Sequence, residues 1–156
     1  MQFDWEQTIK KKDRSIEFLK SVVEKIYSGL REIEETVVAK FPQLEKELPD
    51  SIFFIHAEEL EKMYPDLTPK QRENTITKEH RAVFLIGIGH PLPLSGESHD
   101  CRPADYDDWY TPNGHGDCRG LNGDILVWDS VLNIALELSS MGIRVNSESL
   151  KAQMDI

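Results

Sequence analysis

Between Gly120 and Arg144 the chain reads GLNGDILVWDSVLNIALELSSMGIR, two apolar runs into which carboxylates have been set. Asp124 opens the run Ile125, Leu126, Val127 and Trp128; Ala135, Leu136 and Leu138 flank Glu137 in the second; Ser139, Ser140, Gly142 and Arg144 follow closely. The runs read as two strands joined by Asp129 to Asn133. A carboxylate in a segment that otherwise seeks burial costs on the order of several kcal/mol unless a cation or hydrogen-bond donors satisfy it. A polar neighbour is therefore expected beside this hairpin.

The remaining sequence sets the frame for that neighbour. With 156 residues, 39% of them hydrophobic, the chain suits one domain over residues 1–156 with a sizeable core. It holds no apolar run of about 18 residues, and its first residues, MQFDWEQTIKKK, lack the basic and apolar regions of a signal peptide. The expectation is a soluble, cytoplasmic protein without a membrane partner. A net charge of -10 argues against a nucleic-acid partner, because binding a phosphate backbone needs a basic surface. In that compartment Cys101 and Cys118 are read as free thiols.

Gln2 to Glu6 alternates with period two and reads as a half-buried strand with Phe3 and Trp5 on one face. Gln2 and Asp4 on the other face offer two acceptors at the spacing that meets one ammonium group, or they form a plain solvated face. Ser15 to Phe41 carries apolar residues at helical spacing, from Ile16, Leu19 and Val23 to Ile33 and Val37, and reads as a long amphipathic helix covering a sheet. Ser51 to Ile55 is a short apolar run, followed by a short helix from Ala57 to Met63. Thr68, Pro69 and Gln71 combine an N-cap, a proline at the first helical position and a capping-box glutamine, which predicts a helix to about Arg81. Ala82 to Gly89 is apolar without alternation, as in a central strand covered on both faces. His56 and His80, at the edges of these elements, are read as structural or solvent-facing. From His90 to Asn122 periodicity disappears, and the aromatic weight of Tyr106, Trp109 and Tyr110 predicts an ordered, lid-like loop. Asn146 then caps a final helix.

Magnesium held against a nucleotide needs one or two carboxylates besides the phosphates and water. Asp124 and Glu137 on adjacent strands meet that need, and Ser140 adds a hydroxyl. Arg144 is suited to gripping a substrate carboxylate through two parallel hydrogen bonds. His99, Cys101, His115 and Cys118 form a competing, zinc-type set with unusual spacing. The sequence has no phosphate loop of the GxxxxGK[ST] kind.

QFDWE at Gln2, AVFLIGIG at Ala82, HDCRPADYDDW at His99, GLNGDILVW at Gly120 and ELSSMGIRV at Glu137 together resemble ammonia-dependent asparagine synthetase, or aspartate-ammonia ligase. That family is related to the class II aspartyl- and asparaginyl-tRNA synthetases. The resemblance implies an α+β fold, an antiparallel sheet flanked by helices as in class II synthetase cores. It implies a reaction in which the aspartate side-chain carboxylate attacks the α-phosphate of ATP, pyrophosphate leaves, and ammonia displaces AMP from the aspartyl-adenylate to give asparagine. Carried over position by position, Asp124, Glu137 and Ser140 would hold ATP and its Mg2+. Arg144 would contact the carboxylate of aspartate, Gln2 and Asp4 would orient the amino acid, and Asp107 or Asp108 would guide or deprotonate ammonium.

Members of the family are longer. The upstream dimer motif, a substrate-binding lysine, the motif-two arginine and the glycine-rich third motif are not in this sequence. The expectation is a part of the class II-like core with little turnover by itself, completed by a homo-oligomer or by a missing half. The rival readings are a non-catalytic module for a nucleotide, an amino acid or a partner chain, and a zinc-stabilised interaction domain.

Overall fold

The structure, a computed structural model, describes residues 4–155. Its elements in chain order are α1 (Ile16–Lys40), β1 (Phe53–His56), α2 (Ala57–Met63), α3 (Pro69–His80), β2 (Ala82–Ile86), β3 (Asn122–Asp129), β4 (Ile134–Gly142) and α4 (Ser147–Met154), with a 3-10 turn at Lys11–Asp13. The fold is α+β. The four strands form one sheet in the order β1-β2-β3-β4.

The capping signals act where the sequence places them. The Ser15 hydroxyl accepts from Phe18 N at 3.2 Å, which starts α1. Thr68 and Gln71 close a reciprocal box around the first turn of α3, and the Asn146 side chain accepts from the backbone of Glu148 and Ser149 at the start of α4. Each cap satisfies N–H groups that the first helical turn leaves without partners.

The expected antiparallel sheet is mixed instead. β2, β3 and β4 pair antiparallel, but β1 pairs parallel with β2, in the register Phe53 opposite Val83 and His56 opposite Ile86. The cause is the connection: α2 and α3 cross one face of the sheet between β1 and β2, so the chain re-enters the sheet in its original direction. β2 is buried along its whole length. Phe84 and Ile86 pack with Ile16, Leu19, Val23 and Tyr27 of α1, whereas Val83 and Leu85 pack with Leu60 of α2 and Ile76 of α3.

Two expectations are corrected at the periphery. The apolar stripe of α1 covers the sheet only through its first half, since Ile33 and Val37 are exposed beyond the sheet's end. Asp4–Glu6 belongs to no strand, and Trp5 is exposed. Gln2 and Phe3 lie outside the described residues. No helix among the described residues is long and apolar enough to cross a membrane.

Candidate functional site

The β2–β3 connection is ordered by its ends. Gly87 and Gly120 both adopt positive φ (82° and 94°), and a side chain on Gly120 would come within 2.7 Å of the Gly87 Cα, so only glycine allows the two chains to pinch together. Asn122 fastens the pinch by donating from Nδ2 to the Ile88 carbonyl at 2.7 Å. The middle of the loop then runs along the end of β4. Asp108 N donates to Ile143 O at 2.8 Å, and Val145 N donates to Tyr106 O at 3.0 Å. This places Tyr106 and Asp108 beside the end of β4, while Arg102 of the same loop reaches Asp124.

On the α2/α3 face of the sheet Asp124 stands opposite Ser140, and Leu126 stands opposite Glu137. An unbroken strand would turn Glu137 and Ser140 to opposite faces. β4 instead shifts register between the partners of Ile125 and Leu126, with Leu138 as the extra residue. The bulge turns Glu137 onto the face of Asp124 and Ser140. Glu137 and Ser140 are exposed, while Asp124 is 4% exposed. Burial pushes the Asp124 carboxyl up to about 6, and the Glu137 charge adds to that push against the opposing pull of Arg102 and Ser140. The Asp124 Oδ1 atom is buried without a hydrogen-bond partner. Two carboxylates, one of them with an unsatisfied buried oxygen, and a hydroxyl make an all-oxygen donor set that suits a hard divalent cation.

The counter-charge comes from Arg102, which donates to Asp124 Oδ2 at 2.5 Å and reaches Asp100 at 3.4 Å. Its charge also acts on Asp107, whose carboxyl burial holds above the ordinary range against the pull of Arg144 and Arg102. Arg144 lies 3.2 Å from Asp107 Oδ1 and 2.8 Å from Glu6, and its guanidinium sits 3.2 Å from the centre of the Tyr106 ring. The approach of Asp107 to β4 depends on Gly142, where a Cβ would fall 2.7 Å from the Asp107 carboxyl carbon. Asp107 and Arg144 therefore meet beside the end of β4.

The Asp108 carboxyl has other partners. It is fully buried, its Oδ1 accepts from Tyr110 N and Thr111 N, and its Oδ2 accepts from the Thr111 hydroxyl and from Arg14. With both oxygens doubly occupied, Asp108 fastens the loop. Asp4 is exposed in the segment before α1, and Gln2 lies outside the described residues. The zinc-type set is also redistributed. His99 is buried beside Glu73 at 3.2 Å and Cys101 is an exposed free thiol, whereas His115 and Cys118 lie together elsewhere, near His56.

The whole chain, residues 1–156, matches the family of aspartate-ammonia ligases. The chain belongs to that family. A relative, the aspartate-ammonia ligase of Parabacteroides distasonis, is 54% identical over 155 residues, which cover 99% of this chain and 44% of that protein. The chain thus spans less than half the length of that relative.

Within this member of the aspartate-ammonia ligase family, sequence reasoning missed Arg102 and Tyr106. Arg102 carried a signal, since it is the one cation in the acidic stretch DCRPADYDDW and a buried carboxylate needs a cation. Arg14 carried none. It contacts Asp108 and the Arg144 carbonyl from the other end of the chain, a pairing that no local pattern announces.

Proposed function

We propose that this chain supplies the acidic side of the active site of a cytoplasmic ligase that makes asparagine from aspartate, ammonia and ATP through an aspartyl-adenylate. The observation that carries the reading is the β4 bulge, which groups Glu137 and Ser140 with the buried Asp124 on one open face. The family membership supports the substrates, and a class II synthetase-like core agrees with the antiparallel β2–β3–β4 unit.

In this reading Asp124, Glu137 and Ser140 hold Mg2+ and the phosphates of ATP. The bound cation would neutralise charge on the phosphates as pyrophosphate departs. Arg144, held flat by Tyr106, grips a carboxylate of aspartate through two N–H donors. The family resemblance assigns Gln2 and Asp4 to orienting the amino acid. The side-chain carboxylate then attacks the α-phosphorus, forming the O–P bond as the bond to pyrophosphate breaks. Ammonia attacks the resulting acyl carbon, and AMP leaves with the carboxylate oxygen. Asp107, whose carboxyl burial holds above the ordinary range, would take the proton that ammonium must lose.

Arg102 and Arg144 are already paired with carboxylates, and in this reading the 156-residue chain alone turns over slowly. The open edge of β4, with Leu136 and Leu138 exposed, favours a homo-oligomer or a complementing segment. Incubation of the chain, at concentrations comparable to its substrates, with 18O-labelled aspartate, ammonium and Mg2+-ATP tests the chemistry. Labelled AMP supports the adenylate route. ADP with labelled inorganic phosphate overturns it, and nucleotide binding with no label transfer makes the chain a binding module.

A further inference from the structure

A second cluster of metal-ligating side chains lies away from the acidic face, where β1 passes into α2. His56 ends β1, Glu58 sits in the first turn of α2, and the loop over residues 113–120 folds back to bring Cys118 against them. All three are buried, at 3%, 6% and 5% exposure, and one ligand atom from each lies within 4.8 Å of the other two. The loop is locked in this position by its backbone. Arg119 N donates to Glu58 Oε1 at 2.9 Å, Cys118 N donates to His115 O at 3.0 Å, and Asn113 N donates to Cys118 O at 3.2 Å.

These contacts leave two polar atoms without partners. With Oε1 of Glu58 taken by Arg119, Oε2 is buried and unsatisfied; with Nδ1 of His56 beside Asn113 Nδ2 at 3.2 Å, Nε2 is buried and unsatisfied as well. Buried polar groups ordinarily find a partner, and two orphans beside a buried thiol mark a vacancy that one group can fill.

We propose that His56, Glu58 and Cys118 form a zinc site that staples the 113–120 loop to the β1–α2 junction. Nitrogen, oxygen and sulfur donors together suit Zn2+ and disfavour Mg2+, which separates this site from the all-oxygen set around Asp124. Three protein ligands leave a fourth position for water or for an adjustment of His115, whose ring stacks on that of His56 at 4.7 Å. Ligation through Nε2 puts the remaining ring proton on Nδ1, so Asn113 turns its amide oxygen to the ring and gives up its bond from His115 N and its Nδ2 bond to Gly120 O. Burial holds the Cys118 thiol up at about 11 and His56 down at about 4, so without a cation both are neutral. On ligation the thiol releases its proton to solvent.

The experiment titrates the chelator-stripped chain with Co2+ alone and then displaces it with Zn2+. The expected result is one equivalent bound, with a thiolate-to-cobalt charge-transfer absorption that one equivalent of Zn2+ abolishes. Cys101→Ser and Asp124→Asn retain that absorption, and Cys118→Ser lacks it. Glu58→Gln keeps the thiol but weakens Zn2+ by at least the roughly 10- to 100-fold that outer partners of a metal site usually cost. Absence of the thiolate absorption in the unsubstituted chain overturns the proposal without reference to any variant, and so does an absorption that survives Cys118→Ser.

Discussion

Glu137 and Ser140 stand on one face of the sheet, opposite Leu126 and Asp124, because β4 carries Leu138 as an extra residue between them. Deleting Leu138 removes the bulge and makes Glu137 and Ser140 i, i+2 neighbours in a regular ladder, which keeps both on the face of Asp124. Leu138 is 43% exposed, so the deletion removes little buried surface. The expected outcome is a folded chain, judged by circular dichroism, that keeps its affinity for Mg2+-ATP in a calorimetric titration; a fall of about tenfold or more, on the order of 1.4 kcal/mol, contradicts it.

Asp124 illustrates how the site weakens the fold that holds it. Its carboxyl titrates near 6 in the folded chain, above the ordinary 3.8, because burial disfavours the charged form. For a raised carboxyl the contribution to stability is fully present below the unfolded value and is lost as pH rises through the folded one. Asp124→Asn does not ionise. Its stability relative to the unsubstituted chain is expected to rise between about pH 4 and pH 6 and then level off, with a total gain on the order of 2–3 kcal/mol. Urea denaturation across that pH range measures it, and a gap that stays constant with pH contradicts it.

Arg14 reaches across from the start of α1 to the buried Asp108, and also donates to the Arg144 carbonyl. Arg14→Met leaves a fully buried carboxylate without its cation, which is expected to destabilise the chain by about 3 kcal/mol, the lower end for a broken buried pair because Arg14 is partly exposed. Asp108→Asn in the same chain should recover part of that loss. Denaturant midpoints of the two single variants and the double variant give the coupling directly.

Arg144 lies over the Tyr106 ring, and its flat guanidinium is the property that lysine lacks. Arg144→Lys is therefore expected to weaken aspartate binding by about tenfold or more despite keeping the charge, since the two-point grip on a carboxylate is lost. Tyr106→Leu, which removes the ring and leaves the guanidinium, should lower affinity less. Isothermal titration with aspartate in the presence of Mg2+-ATP ranks the two.

Helix positions were legible because their signals are local. Thr68, Pro69 and Gln71 announce α3, Ala57–Met63 forms the expected short helix, and the unbroken apolar run from Ala82 gives the central strand. The acidic face was legible in composition, since Asp124 and Glu137 are out of place in apolar runs. Its geometry was not: the alternation Ile134, Leu136, Leu138 suggests a regular strand, and the bulge is fixed by pairing with β3 rather than by β4 itself. The parallel pairing of β1 was equally hidden, because it depends on where α2 and α3 dock. Long-range contacts such as Arg102 with Asp124 and His56 with Asn113 come from the irregular loop, whose path follows from burial and hydrogen bonding and leaves no periodic trace.

The most direct test is a calorimetric titration of ATP into the 156-residue chain with and without Mg2+, repeated with Asp124→Asn and Glu137→Gln. A nucleotide held through these carboxylates requires that binding depend on Mg2+ and that each substitution weaken it by at least about tenfold, on the order of 1.4 kcal/mol. Equal affinity without Mg2+, or unchanged affinity in both variants, contradicts it.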